Sequence, residues 1–326
     1  MGATSEKVVD NTMWSGLLHT GVQGTFMKLP YVPPQAEALR QAGASVAVMG
    51  FPWDSSCISR TGASYGPKAI REASDQFLLY NATSGIDLTD HYTIVDCGDV
   101  EVVPAKGEIS MARGEAMFDE ILAAGVVPVM LGGDHAVTIA GVRAHRRAFA
   151  NPGLVLLDTH FDTAVEMGGD DLSHCCPVAR AVDAGFDPKK IAIVGPGGWL
   201  NPRSELEYIH DHGIALFTLD DVIERGALAV AQDAARIAAD GTDNIYLTID
   251  IDCLDSAYAP GTGVPTPGGM TSRELFIIIK EVSRHGLGAF DIAEVSPAWD
   301  KDGITSRVAC RAILDALAAN ASAKGG

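Results

Sequence analysis

The chain has 326 residues and is 47% hydrophobic, which is typical of a globular protein with a large core and argues against disorder. Its 42 acidic and 24 basic residues give a net charge of −18, so nucleic acid and anionic membranes are poor partners, whereas a cationic substrate is attracted. Because the sequence shows no membrane-spanning apolar run, no signal-peptide pattern and no CxxC spacing among its six cysteines, we expect a reduced, cytoplasmic protein.

Strands and helices alternate from about residue 45 to the end of the chain. Eight apolar segments are predicted to be strands, at 45–52, 93–100, 126–133, 154–160, 190–195, 214–219, 245–252 and 288–295. Helices are predicted over 67–80, 112–125, 136–149, 177–185, 203–212, 225–240, 272–285 and 305–319. Apolar strands separated by helices indicate a parallel sheet that is covered on both faces. We expect residues 1–326 to form one domain, with an irregular segment at 1–44 packed on its core.

Four of the predicted strands end in ionisable side chains. These are His135 after strand 126–133, Asp158, His160 and Asp162 at the end of strand 154–160, Asp250 and Asp252 at the end of strand 245–252, and Glu294 at the end of the last strand. Ligands of open parallel sheets bind outside the carboxyl ends of the strands. If strand geometry continued through residue 162, its period of two would also place residues 158, 160 and 162 on one face.

This combination of histidines and carboxylates indicates a metal centre. Buried carboxylates without a partner are costly, because they repel one another and take up protons. Carboxylate and imidazole ligands suit Mn²⁺, Zn²⁺, Fe²⁺ or Ni²⁺, and six such groups are more than one ion needs, so we predict two ions that share bridging carboxylates. Alone, His135 would more often be a packing or capping residue, and a single Asp-x-Asp pattern is common. Their convergence at strand ends is the informative observation.

Three stretches resemble the ureohydrolase superfamily, that is, arginases, agmatinases and their relatives. They are GGDH at 132–135, DTHFD at 158–162 and DIDCLDSAYAPGTGVPTPGG at 250–269, whose APGTG form is closer to agmatinases than to arginases. The similarity runs from about residue 45 to the C-terminus. It implies a three-layer α/β/α arginase-like fold with an eight-stranded parallel sheet. It also implies a metal-dependent hydrolase that acts on C–N bonds of linear amidines.

The resemblance assigns a role to individual residues. His135, Asp158, Asp162 and Asp250 would hold one ion, and His160, Asp158, Asp250 and Asp252 the other, so that Asp158 and Asp250 bridge. A metal-bridging hydroxide would then attack the guanidinium carbon. Glu294 matches the position that orients the guanidinium, and His174 matches the catalytic histidine that passes a proton to the leaving amine. Without the family, His174 would be interpreted as a surface or packing residue.

The sequence departs from the family around the expected substrate site. The loop at 163–173 is acidic, with Asp171 near its end, and has no basic residue, so it would repel a substrate carboxylate. Thr61 replaces the usual residue in the loop after the first strand, and Trp299 stands where agmatinases carry a smaller aromatic. We expect Thr61, Asp171 and Trp299 to contact the substrate together with Glu294, and a tryptophan at the pocket mouth would stack on a flat cation.

These departures favour a compact cation without a carboxylate. The forms DTHFDT and HCCP resemble the nickel-dependent branch that hydrolyses guanidine or biguanides such as metformin, so our first expectation is a guanidine or biguanide hydrolase with Ni²⁺ or Mn²⁺. An agmatinase is the second, and a non-catalytic or partner-dependent subunit of a hetero-oligomeric hydrolase is the third. A formimino hydrolase of the same superfamily would need a docking site for substrate carboxylates, which the loop at 163–173 does not supply. We expect a homo-oligomer, a trimer or hexamer.

Overall fold

The computed structural model of the protein describes residues 24–324. Its strands are β1 (Val46–Gly50), β2 (Tyr80–Asn81), β3 (Ile86–Asp87), β4 (Ile94–Asp99), β5 (Val127–Leu131), β6 (Gly153–Leu157), β7 (Ile191–Val194), β8 (Ala215–Phe217), β9 (Ile245–Asp250) and β10 (Leu287–Ala293). Strands β2 and β3 form a small hairpin. The other eight form one parallel sheet in the order β4-β1-β5-β10-β9-β6-β7-β8, which confirms the predicted eight-stranded parallel sheet.

Helices cover both faces of this sheet. They are α1 (Ala36–Gln41), α2 (Gly66–Ser74), α3 (Gly107–Ala123), α4 (Val137–Ala148), α5 (Pro177–Ala184), α6 (Arg203–His212), α7 (Leu219–Arg225), α8 (Ala227–Ala239), α9 (Ser272–Ser283) and α10 (Ile304–Lys324). The alternation along β1 shows the resulting layers, because Val46 and Val48 enter one apolar core while Ala47 and Met49 enter the other. The three-layer α/β/α fold is therefore confirmed. No helix in the described range is both long and apolar enough to cross a membrane.

Several helix boundaries differ from the sequence-based prediction. The helix predicted to start at residue 112 begins at Gly107, and the one predicted to end at residue 319 continues to Lys324. The helix predicted over 67–80 ends at Ser74, and the chain then enters the β2–β3 hairpin. The helix predicted over 225–240 is α8, and a further helix that was not predicted, α7, precedes it. Gly226 separates the two, and its φ of 85° is a left-handed value that glycine adopts without strain. Apolar periodicity alone did not reveal these boundaries.

The N-terminal segment predicted over 1–44 falls partly outside the described residues, at 1–23. Residues 24–44 contain the short helix α1 as well as irregular backbone. Phe26 and Leu39 are fully buried, Phe26 in the core beneath α2 and α10 and Leu39 in the core beneath α3. This part of the chain is therefore packed on the sheet domain.

Candidate metal centre and substrate pocket

Four neighbouring strands in the middle of the sheet end at the candidate site. β5, β10, β9 and β6 lie side by side, and their carboxyl ends carry His135, Glu294, Asp250 and Asp158 in that order. All four residues are buried. Since the strands are parallel, these ends lie at one edge of the sheet, and the structure brings the six predicted metal ligands together there.

Two aspartates turn the chain directly after their strands. The strand predicted over 154–160 ends before Asp158, so the period-two argument does not apply there. Instead, Asp158 Oδ1 accepts a hydrogen bond of 2.6 Å from the backbone N–H of His160. Asp250 Oδ1 accepts an equivalent bond of 2.8 Å from Asp252 N–H. A hydrogen bond from an aspartate side chain to the backbone N–H two residues later forms a tight turn. Here the two turns keep Asp158 with His160, and Asp250 with Asp252, at the site.

His135 faces three carboxylates through one ring nitrogen. Its Nδ1 lies 3.2 Å from Asp158 Oδ2, 2.8 Å from Asp162 Oδ2 and 3.4 Å from Asp250 Oδ2. Contacts this short among one imidazole and three buried carboxylates have the composition of a ligand set for a divalent ion. These four residues are the ones that the family resemblance assigns to the first ion.

His160 lies on the other side of Asp158. Its Nδ1 is 3.3 Å from Asp158 Oδ1 and 3.4 Å from Asp252 Oδ2. Asp158 therefore presents Oδ2 to His135 and Oδ1 to His160. One carboxylate oxygen facing each histidine is the arrangement that a bridging ligand requires.

The negative charge of the four clustered aspartates exceeds the positive charge that the two histidines of the cluster can supply. Burial, aided by the charge of Asp158, raises the pKa of Asp250 to about 7. Burial also opposes ionisation of Asp158, but the nearby imidazoles of His135 and His160 outweigh it and lower the pKa of Asp158. His135 Nδ1, Asp158 Oδ2 and Asp252 Oδ1 are buried without a hydrogen-bond partner. Divalent cations would satisfy these atoms and remove the repulsion, so the residues fit a pair of such ions.

His135 is oriented by residues that the sequence reasoning missed. Its Nε2 lies 2.8 Å from Thr248 Oγ1, and that hydroxyl donates to Asp291 Oδ1 at 2.7 Å. Because the hydroxyl gives its only hydrogen to Asp291, it accepts from Nε2–H, and the lone pair of Nδ1 is available to a metal. Asp291 also accepts from Tyr246 and Thr138. An aspartate in the middle of the apolar strand β10 was the signal that could have revealed this network.

We expect Thr248→Val to weaken metal binding about 10- to 100-fold, because loss of the hydroxyl frees the His135 ring to rotate. Turnover at saturating metal should be largely retained. Titrating metal-free protein with Mn²⁺ and following activity measures the effect. Thr242→Val is the matched control, since that hydroxyl donates to Ala238 O instead. An unchanged metal dependence would show that Thr248 does not orient the ligand.

Glu294 joins the cluster to the pocket. Its Oε1 accepts a bond of 3.0 Å from His135 N–H and lies 2.9 Å from His174 Nδ1. Ile58 N–H donates to His174 Nε2 at 3.2 Å, which places the imidazole proton on Nδ1, toward Glu294. Glu294 Oε2 is buried without a partner. Glu294 and Asp162 have φ values of 62° and 51°, a left-handed backbone that is strained for residues other than glycine and is often found at functional sites.

Cys57 lies beside these two residues. Its Sγ and a ligand atom of each of His174 and Glu294 are within 4.8 Å of one another. Burial, aided by the charge of Glu294, raises the pKa of Cys57 to about 11, so the group is a thiol at neutral pH. Of the other cysteines singled out by the HCCP motif, Cys175 lines the pocket and Cys176 is buried at the start of α5.

A pocket of about 280 Å³ opens onto the cluster. Its acidic lining residues are Asp162, Glu205, Asp250, Asp252 and Glu294. Its other lining residues are Ile58, Ser59, His160, Met167, His174, Cys175, Leu200, Asn201, Pro202 and Val264. Within residues 24–324, no lysine or arginine lines this pocket. Its volume is small for a ligand site, so the pocket suits a compact cation.

Three residues expected to contact the substrate lie outside this lining: Thr61, Asp171 and Trp299. Asp171 is held by Arg180, with 3.0 Å between Oδ2 and Nη1. Trp299 Nε1 donates to the carbonyl of Thr61 at 3.1 Å, and the Arg60 guanidinium lies 4.5 Å from the Trp299 ring centroid. In the structure the three residues tie loops together around the pocket, and their contact with a substrate stays a prediction.

Comparison with known proteins agrees with this geometry. Residues 44–319 match the arginase family. Proclavaminate amidinohydrolase from Streptomyces clavuligerus is 34% identical over 87% of this chain and 89% of its own length. A solved structure of that enzyme has a TM-score of 0.86 and 32% identity, and the match covers 92% of this chain and 97% of that one.

Other relatives extend the match. Guanidinopropionase from Pseudomonas aeruginosa is 33% identical, over 90% of both chains. Agmatinase from Serratia proteamaculans is 32% identical over 86% of this chain and 89% of its own. These matches cover nearly all of the sheet and the loops that carry the cluster, and they confirm the resemblance noted in the sequence. The chain belongs to the arginase family of ureohydrolases.

Proposed function

We propose that the protein hydrolyses a C–N bond of a small cationic guanidino compound, releasing a urea-type product and an amine or ammonia. The pocket lining carries this proposal, because Glu205 and Glu294 add two carboxylates beyond the metal-ligand residues and, among the described residues, no lysine or arginine lines the pocket. Such a lining attracts a guanidinium and repels a substrate carboxylate. The names of the relatives include both guanidinopropionase and agmatinase, so relatedness alone does not choose between acidic and cationic substrates.

The cluster would hold two divalent ions. One would be bound by His135, Asp158, Asp162 and Asp250, and the other by His160, Asp158, Asp250 and Asp252. When bound, the ions would supply Lewis-acid activation of water near neutral pH. The predominance of carboxylate oxygen favours Mn²⁺, while Ni²⁺ also accepts mixed oxygen and imidazole ligands. Reconstitution with each metal is therefore part of the test.

The chain's own residues position the substrate and move its proton. Glu294 offers the unpartnered Oε2 to the guanidinium N–H groups, while Oε1 is already occupied by His135 and His174. A charge-assisted hydrogen bond of this kind, in a buried pocket, anchors the guanidinium beside the cluster. His174 lines the same pocket, and its Nδ1 lies beside the Glu294 carboxylate that would hold the guanidinium, so we assign protonation of the leaving amine to it.

Guanidine, a substituted guanidine or a metformin-type biguanide is the first candidate substrate, because the pocket is small and partly apolar, with Met167, Leu200 and Val264 in its lining. Agmatine is the second, and the relatives named agmatinase together with the additional carboxylate of Glu205 favour it. The six filled ligand positions argue for catalysis by this chain itself rather than for a non-catalytic subunit.

We expect the metal-loaded protein to turn over cationic guanidines with a kcat/KM about 100-fold or more above that for 3-guanidinopropionate, since a carboxylate in this lining is repelled. Metal-free protein is reconstituted separately with Mn²⁺ and Ni²⁺. Urea or guanylurea release is then measured from guanidine, methylguanidines, metformin, agmatine and 3-guanidinopropionate. Preference for the acid would overturn the proposal, and the absence of any turnover would indicate a partner-dependent subunit.

A further inference from the structure

Two buried side-chain acceptors on one side of the pocket belong neither to the metal-ligand residues nor to the Glu294–His174 pair. They are Asn201, in the loop after β7, and Glu205, in the first turn of α6. Asn201 Nδ2 donates to the carbonyls of Thr159 at 2.9 Å and Gly197 at 3.0 Å. Because those two bonds use both amide hydrogens, the orientation of the amide is fixed. Its Oδ1 is buried and has no hydrogen-bond partner.

Glu205 is a buried carboxylate that lacks a cationic partner. It is only 8% exposed, and within residues 24–324 no lysine, arginine or histidine forms a salt bridge with it. Its Oε2 accepts one bond of 3.2 Å, from Thr163 N–H. It also belongs to none of the described side-chain groups with the spacing of a metal site. A carboxylate buried this deeply is costly unless a positive charge approaches it, and its place in the pocket lining makes the ligand the source of that charge.

We propose that Glu205 and Asn201 form a second cation subsite, which receives a positively charged, N–H-bearing group at the end of the substrate remote from the scissile guanidinium. The proposal rests on the function proposed above and narrows its substrate class. The group would be the terminal ammonium of an aminoalkylguanidine or the second amidine unit of a biguanide. A charged acceptor and a neutral one together match a cation with several N–H donors.

The subsite would make the enzyme selective for extended cations. Glu294 holds one end of such a substrate and Glu205 the other, whereas guanidine itself reaches only one of them. Met167, Leu200 and Val264 in the same lining suit the hydrocarbon segment between the two charges of an aminoalkylguanidine, or the N-methyl groups of a biguanide, whose single charge is spread over both amidine units. Guanidino acids would place a carboxylate against Glu205 and be repelled.

Glu205 has a second contact that the test must separate from substrate recognition. Its backbone carbonyl accepts from Thr163 Oγ1 at 3.1 Å, and Oε2 accepts from Thr163 N–H, so α6 also supports the loop that follows Asp162. Glu205→Gln removes the charge but keeps a side-chain oxygen for Thr163 N–H. Glu207→Gln makes the same chemical change at an exposed position of α6 and is the matched control.

The test compares kcat and KM of the metal-loaded wild type and both variants with agmatine, metformin, guanidine and butylguanidine, which is agmatine without its ammonium. We expect Glu205→Gln to raise KM about 10- to 100-fold for agmatine, metformin or both. A loss of affinity of this size is what the removal of one hydrogen bond to a charged group produces. KM for guanidine and butylguanidine should change less than about twofold. The substrate that shows the loss identifies which of the two cations the subsite receives.

An equal loss with all four substrates would overturn the subsite, because it is the result that loop support alone predicts. No change with any substrate would also overturn it. Calorimetric binding of agmatine and of metformin to metal-loaded wild type and Glu205→Gln gives an answer that does not depend on turnover. If the wild type turned over no cationic guanidine, the proposed function would fail, but the binding measurement would still test the subsite. Equal affinities of the wild type and Glu205→Gln would reject the subsite, and a tenfold or larger loss of affinity in the variant would support it.

Discussion

Asp250→Asn should yield a protein that binds little metal, has no measurable turnover, and in its metal-free form unfolds at a higher temperature than the wild type. The carboxylate is buried at the end of β9, and its Oδ2 lies 3.4 Å from His135 Nδ1. Asparagine keeps the oxygen that accepts from Asp252 N–H, so the turn is retained. What is lost is the bridging charge. In the metal-free protein that loss relieves repulsion from Asp158, which raises the pKa of Asp250 together with burial.

Three measurements check this expectation: metal content by mass spectrometry after loading, urea release at saturating substrate, and thermal unfolding with and without a chelator. Asp211→Asn, at an exposed position of α6, is the control and should behave as the wild type in all three. Wild-type metal content and activity in Asp250→Asn would refute the bridging role. A metal-free variant less stable than the wild type would refute the repulsion argument.

The metal-free protein should lose stability as pH rises from about 5 to 8.5, by several kcal/mol in total. Asp250 has a folded-state pKa of about 7 against an ordinary value of 3.8, so the unfolded chain releases this proton first and folding becomes less favourable as pH rises through that interval. Burial, with Asp162 nearby, also raises the pKa of Glu205 to about 7. Each unit by which the pKa of a group differs between the folded and unfolded states changes the free energy of unfolding by up to about 1.4 kcal/mol.

His160 also makes the metal-free protein less stable as pH rises. Burial disfavours its charged form, but the hydrogen bond to Asp158 outweighs burial and raises the pKa of His160 to about 9. Its stabilising contribution is therefore complete below its ordinary pKa of 6.5 and is lost as pH rises through about 9. Bound metal should reverse the trend, because metal prefers deprotonated ligands.

Urea unfolding of chelator-treated and metal-loaded protein at half-unit intervals of pH tests this expectation. Asp250→Asn should flatten the slope of the metal-free curve, since it removes one of the titrating groups. An increase in the free energy of unfolding of the metal-free protein between pH 5 and 8.5 would contradict the raised pKa values of Asp250, Glu205 and His160. In that case the cluster would not be a source of instability without metal.

The cluster of candidate metal ligands could be predicted from the sequence because its chemistry is concentrated at strand ends. His135, Asp158 and Asp250 each close an apolar run, and parallel strands bring such ends to one edge of the sheet. The local geometry could not be found in this way. The residues after Asp158 converge through a side-chain-supported turn rather than through strand alternation, and an Asx turn has no apolar period that would reveal it.

The substrate side of the site was harder to predict, because loop residues have no period that fixes where they point. Asp171 and Trp299 were chosen for their charge and size, yet one pairs with Arg180 and the other bonds to the loop after β1. Glu205 has no sequence signal that separates it from an ordinary acidic residue in the first turn of a helix. Only tertiary packing turns it toward the same pocket as Glu294.

The division between central and outer strands has a consequence for how such an enzyme changes over evolution. The four central strands, β5, β10, β9 and β6, supply the ligand cluster and Glu294, whereas Leu200, Asn201 and Glu205 come from the connection after the outer strand β7 and from α6. Mutations in that connection can therefore alter the fit to a substrate without disturbing the hydrolytic apparatus. A scaffold divided in this way allows substrate specificity to change while the reaction stays the same. The differing names of the relatives at 32–34% identity illustrate this.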